Sequence, residues 1–136
     1  MALEITPRER EGITLLDLKG RVTMGPEAKA LREKVSNLNQ EGGCRLVLNL
    51  AHVDYIDSTG LGALTMCATS LRKTGGNVKL LNLNRRNIEL LVMTKLATVF
   101  ELFGDEQDAI NSFFPNRDIK HFDILNFIQQ QQGEEN

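Results

Sequence analysis

Apolar positions along this chain recur with two periods, one near two residues and one near 3.6. Leu3 to Ile5 reads as a short strand and Ile13 to Gly20 as a second, with Ile13 and Leu15 on one parity and Leu16 and Leu18 on the other. Glu11-Gly12 between them predicts a hairpin turn. Gly25-Pro26 predicts a helix start, because the N–H that proline lacks has no partner in a first helical turn. Ala28, Leu31, Val35 and Leu38 follow at helical spacing, and Gly42-Gly43 closes that run. Arg45 to Leu50 is nearly continuous in apolar residues, as in a strand covered on both faces. Leu61, Leu64, Ala68 and Leu71 then return to the helical period until Gly75-Gly76. Val78 to Leu83 predicts a strand, Arg85 to Met93 a helix with Ile88, Leu91 and Val92 inward, and Val99 to Phe103 a short strand. A last short helix follows Gly104, with Asp105 as its cap, Ala109, Ile110 and Phe113 toward the core, and Pro115 as its stop. Met66 and Met93 are expected as core filler.

Strands and helices therefore alternate, which predicts an α/β fold: a single domain over residues 1–115 with a small mixed sheet flanked by helices, its later strands parallel. Residues 116–136 form a C-terminal extension. Ile119, Phe122, Leu125 and Ile128 stand three apart, with Ile124 and Phe127 beside them, and predict an extra helix. The glutamine run Gln129 to Gln132 and the acidic end after it read as disordered. The apolar side chains of this extension need cover, either from the domain itself or from a second subunit in a homodimer.

The composition narrows the classes. With 136 residues, 41% hydrophobic and 25% charged, the chain fits one globular domain with a core. A net charge of -2 gives no general basic footprint for nucleic acid or an anionic membrane. No apolar run is long enough to insert in a membrane, and Met1 to Ile5 lacks the pattern of a signal peptide, so a cytoplasmic location is expected. Cys44 and Cys67 sit in apolar contexts and read as two buried, reduced thiols rather than as a disulfide or metal site. No motif for a metal or cofactor is present.

The segment with chemistry is Asp54-Tyr55-Ile56-Asp57-Ser58-Thr59-Gly60-Leu61-Gly62, between a strand pattern and a helix pattern. It puts an acid, two hydroxyls and two glycines at a helix N-terminus, where backbone N–H groups are unpaired and negative charge is favoured. Capping alone accounts for Ser58 and Thr59, and Gly60 and Gly62 would then let the helix approach the sheet. Phosphorylation accounts for more of the residues together. A serine at a tight strand-to-helix junction projects from the surface, small glycines leave room for a partner, and Asp57 lies near enough to orient Ser58 or to repel a phosphate on it. A nucleophilic enzyme is the weaker alternative. Gly-x-Ser-x-Gly is absent, and of the two histidines His52 lies shortly before the segment and His121 in the tail. The chain is therefore read as a non-enzyme.

Asp57-Ser58-Thr59-Gly60-Leu61-Gly62, after an apolar strand and before an amphipathic helix, resembles the signature of STAS domains, the sulfate transporter and anti-sigma factor antagonist domains. The resemblance runs over roughly residues 3 to 114 and includes Gly20, Gly75-Gly76 and the late Phe100 to Phe103 run. It implies an anti-sigma factor antagonist in a partner-switching pathway that regulates sigma-factor-dependent transcription. The implied partners are an anti-sigma factor that is also a serine kinase, which inactivates the antagonist by phosphorylating Ser58 (Thr59 the alternative), and a serine phosphatase that reverses it. The implied partner surface comprises Asp57, Ser58, Thr59, Gly60, Leu61 and Gly62 with the turn residues Arg21, Thr23 and Met24. The turn departs from the family pattern, because Gly20-Arg21-Val22-Thr23-Met24 carries a basic side chain where relatives carry acids. A STAS scaffold or regulatory subunit of a signalling or transporter-associated complex, never phosphorylated, is the alternative.

Overall fold

A computed structural model describes residues 3–135; Met1, Ala2 and Asn136, which belong to the signal-peptide reading and to the tail's acidic end, lie outside the described residues. One five-stranded sheet runs in the order β1-β2-β3-β4-β5, namely Glu4–Arg10, Ile13–Val22, Arg45–Ile56, Asn77–Leu81 and Glu101–Phe103. β1 pairs antiparallel with β2, and every later pair is parallel. The helices are α1 (Pro26–Leu38), α2 (Ser58–Lys73), α3 (Arg85–Met93), α4 (Glu106–Asn111) and α5 (Ile124–Glu135). The expected mixed sheet flanked by helices is what the chain builds.

Each parallel crossover in such a sheet has the same right hand, and strands added in sequence order put successive helices on one face. Accordingly Leu31 and Val35 of α1, Leu61, Leu64, Ala68 and Leu71 of α2, and Leu91 of α3 share one apolar layer with Leu16, Leu18, Leu46, Leu48 and Leu50 of the sheet. The opposite face packs Ile13, Leu15, Val47, Leu81 and Phe103 against Ala109 and Ile110 of α4. Leu46, Val47 and Leu48 are fully buried between these layers, the reason their run is continuously apolar.

Several boundaries differ from those expected, β4 ending at Leu81 rather than Leu83 and β5 starting at Glu101 rather than Val99. β1 runs to Arg10 through Pro7, because β1 is an edge strand and a missing N–H there costs no ladder bond. β2 continues past Gly20 to Val22, through register shifts at Asp17/Lys19 and Gly20/Arg21, with Gly20 at φ 121° taking up the distortion. β3 continues to Ile56, alternating buried Val53 and Ile56 with exposed His52 and Asp54, so it outruns β4, whose last partner pair is Asn49 with Leu81. In the tail the helix begins only at Ile124; Ile119 and Phe122 lie before it. The Phe122 N–H is committed to the Leu102 carbonyl at 3.0 Å, which holds the chain extended, and Asp123 caps α5 by accepting from Asn126 N at 2.9 Å. The backbone of α5 runs through the glutamines to Glu135. Met66 and Met93 are 54% and 81% exposed, not core, because each falls off the apolar face of its helix. Cys67 is buried, but Cys44, at the entry to β3, is only half-buried, and both thiols are free.

Candidate functional site

β2 and β3 extend past their neighbours at the same end of the sheet, and each turns there into a helix. The turn into α1 (Thr23 to Gly25) and the start of α2 therefore sit side by side. Asp57 ties them together. Its Oδ1 accepts from Gly60 N at 2.7 Å, the N-cap bond of α2, and its Oδ2 accepts from Met24 N at 3.0 Å. Its own N–H reaches the Val22 carbonyl at 3.3 Å. Both carboxylate oxygens are thus spent on holding the backbone, and the capping role expected of Ser58 or Thr59 belongs to Asp57 instead. An acid at this position also faces the positive end of the α2 dipole.

Ser58 and Thr59 become the first two residues of α2, and both are exposed. Among the described residues neither hydroxyl has a hydrogen-bond partner. Gly60 is buried, and a Cβ there would stand 1.8 Å from the Val22 carbonyl oxygen, so the close approach of α2 to the end of β2 demands glycine. Gly62 plays no such part: a Cβ there meets nothing within 4 Å, and the residue is exposed. Leu61, counted in the expected partner surface, is 4% exposed and packs in the α-helical core layer. Leu61 and Gly60 are thus interior groups, because helical rotation turns them toward the sheet. The surface left at this end consists of Ser58, Thr59 and Gly62 with Arg21, Thr23 and Met24. Of these Met24 is 72% exposed, and Thr23 is half-buried with its carbonyl accepting from Ala28 N at 3.2 Å.

Two further features border this surface. Arg21 lies in register with Tyr55 of β3, and the Arg86 guanidinium stacks over the Tyr55 ring at 4.5 Å. Arg21 and Arg86 thus both stand beside Tyr55 at this end of the sheet, where the acids Asp54 and Asp57 also lie. On the other side, a groove of about 370 Å³ runs between α1 and α2, lined by Arg32, Val35, Met66, Cys67 and Leu71. A smaller depression between Gly25 and Thr59 shares Arg32 and Met66 with it. Met66 could have been read as a groove lip, since it lies two residues from Leu64 and so on the opposite side of the helix. The Tyr55–Arg86 stack joins residues on different elements and leaves no local signal. His52 is exposed on β3, and His121 sits 3.7 Å from Glu101 at the far sheet edge, so the two histidines and Ser58 are placed on separate elements.

Comparison with known proteins agrees with this fold. The family model described as STAS domain matches residues 4–109. The anti-sigma-B factor antagonist of Bacillus subtilis (strain 168) is 29% identical over 110 residues, which are 81% of this chain and 99% of that protein. An anti-sigma factor antagonist from Mycobacterium paratuberculosis superposes with a TM-score of 0.71 at 21% identity, covering 81% of this chain and 92% of its own. SpoIIAA, a Bacillus cell fate determinant, has the same fold in its phosphorylated form, with a TM-score of 0.63 at 18% identity over 81% of this chain and 99% of that one.

Proposed function

The chain belongs to the STAS domain family, and from that premise we propose that it acts as an anti-sigma factor antagonist whose binding is switched by phosphorylation of Ser58. The observation that carries the reading is the division of labour at the α2 N-terminus. Asp57 alone does the capping, so Ser58 is exposed and structurally unoccupied. A phosphate can be added and removed there without breaking any bond that holds the fold.

The switch follows from charge. The partner, an anti-sigma factor that is also a serine kinase, docks over Ser58, Thr59 and Gly62 and the turn at Arg21, Thr23 and Met24. Phosphorylation adds roughly -1.5 to -2 charges at pH 7. Within a docked surface that dianion loses water and lies next to the Asp57 carboxylate, whose two oxygens are already committed to N–H groups. An unpaired charge buried at an interface costs on the order of 3–5 kcal/mol, enough to exchange partners. A serine phosphatase resets the site. Release of the anti-sigma factor's other partner is the regulatory output.

Phosphopeptide mapping and binding of the kinase to Ser58 variants test this together. Ser58→Ala is expected to bind and to lose phosphorylation; Ser58→Asp is expected to bind at least about tenfold more weakly. Undiminished phosphorylation of Ser58→Ala would move the site, first to Thr59. Equal binding by wild type and Ser58→Asp would leave the chain an unswitched scaffold.

A further inference from the structure

Two helical stripes border a trough that leads away from the Ser58 end of the molecule. On α2, Thr59, Ala63, Met66 and Ser70 recur at the spacing of one helix face, and on α1 so do Lys29, Arg32, Ser36 and Asn39. Near Thr59 the small side chains of Ala28 and Ala63 leave a hollow of about 190 Å³. The groove of about 370 Å³ shares Arg32 and Met66 with that hollow, so the two are continuous along the helices. At the far end Asn39 Nδ2 donates to Thr74 Oγ1 at 3.0 Å and ties the helix ends together. From Thr59 to Ser70 the trough runs about 16 Å, the length of about three helical turns.

The floor of the trough is apolar and its charge is positive. Val35 and Leu71 are buried beneath it, and Met66, 54% exposed, adds an adaptable thioether at the rim. Among the described residues that line it, the charged ones are Lys29 and Arg32. The acids of α1, Glu27 and Glu33, lie outside the lining, and Glu33 stands 3.9 Å from Lys29. Among the described residues the Arg32 guanidinium meets the Met66 sulfur at 3.9 Å and no acid. An apolar floor beside a cation without an acid partner is complementary to an occupant that is apolar on one face and acidic at its edge.

We propose that the trough takes an acidic amphipathic helix of about three turns from the same anti-sigma factor kinase that docks at Ser58. The inference rests on the Ser58 reading, and the trough extends that surface from Thr59 along α1 and α2. Apolar side chains of the incoming helix, three and four residues apart, lie against Val35, Met66 and Leu71. A carboxylate at its edge pairs with Arg32. A phosphate on Ser58 changes the charge at one end of this surface and leaves Arg32 and Met66 in place. The trough thus serves recognition, and Ser58 serves release.

The test is the affinity of the purified kinase for the full chain at low and at high ionic strength. Arg32→Glu and Met66→Asp should each weaken binding at least about tenfold, and Arg32→Glu should also flatten the salt dependence. Lys95→Glu, the same change of charge at an exposed position outside the trough, should stay within about twofold. Trough variants that bind like wild type, while Ser58→Asp is weakened, overturn the trough and leave the Ser58 reading standing. Weakened trough variants with an unaffected Ser58→Asp do the reverse. A concentration-dependent dimer of the unaltered chain that Met66→Asp abolishes would assign the trough to a second copy and overturn the proposal. Circular dichroism checks the fold of each variant; if Met66→Asp fails to fold, Arg32→Glu, whose side chain holds no structural ion pair among the described residues, decides alone.

Discussion

At the scale of single residues, the two glycines of the α2 start do different work, although the sequence presents them alike. Gly60 faces the Val22 carbonyl oxygen so closely that a Cβ would stand 1.8 Å away, inside any tolerable contact. Gly60→Ala should therefore cost at least about 2 kcal/mol through forced displacement of α2 from β2. Gly62 has open space, so Gly62→Ala should stabilise the helix by about 0.5–1 kcal/mol. Urea unfolding of both variants would check the pair, and equal effects of the two changes would contradict the geometry. The same Gly62→Ala chain reports on function. If a partner packs over Ser58 and Gly62, binding falls while stability rises, an outcome that a purely structural defect does not produce.

At the scale of elements, α4 is fastened to the sheet by charge as well as by Ala109 and Ile110. Arg8 of β1 binds Asp17 of β2 through Nε at 2.7 Å and also pairs with Glu106 of α4, which Arg10 holds as well. The Arg8 guanidinium keeps both carboxyl groups below their ordinary range, with Asn49 assisting at Asp17 and Arg10 at Glu106, against a smaller opposing effect of burial. Arg8 in turn is held above its usual range, by Glu106 first and Asp17 second. A depressed carboxylate contributes stability that is fully present above its unfolded pKa, near 4, and is lost as the pH falls through the lower folded value. The groups are about a third exposed, so water screens part of the effect. Stability should thus fall below about pH 4, with the α4–β1 contact loosening first. In Arg8→Met this acid dependence should flatten. Urea midpoints near pH 7 and near pH 3 for both chains would measure it, and an unchanged slope in Arg8→Met would assign the acid sensitivity elsewhere.

At the scale of the whole molecule, the two thiols report on different depths of opening. Cys67 is 4% exposed and burial pushes its thiol up to about 11, whereas Cys44 is half-buried and raised by the same cause. Thiolates are the reacting species, so alkylation of Cys67 near pH 8 should wait for separation of α2 from the sheet, while Cys44 reacts through local opening. Iodoacetamide labelling followed by peptide mapping would separate the two rates. Labelling of Cys67 as fast as Cys44 would mean that the α1–α2 layer opens readily.

Most of this fold was legible because its signals are local. Period and turn chemistry placed the hairpin at Glu11-Gly12, where both residues take positive φ, and placed α3 at its observed residues. The Asp-Ser-Thr-Gly run marked the site because helix caps are written in consecutive residues. Misreadings arose where a partner distant in sequence competes for the same groups. Ile119 and Phe122 carry a helical period, yet the β5 edge takes the Phe122 N–H and delays the helix to Ile124. Leu61 belongs to the motif in sequence and to the core in space.

The sequence by itself determined the alternation of strands and helices, the parallel sheet and the residues from which the proposed switch is built, since hydrophobic period and capping act within a few residues. Only the tertiary structure decided which of those residues face outward. The Met24 N–H and the Gly60 N–H converge on one carboxylate from segments 33 and 3 residues away from it. That convergence makes Asp57 the cap and leaves Ser58 free, and it exists only once β2 and β3 lie side by side.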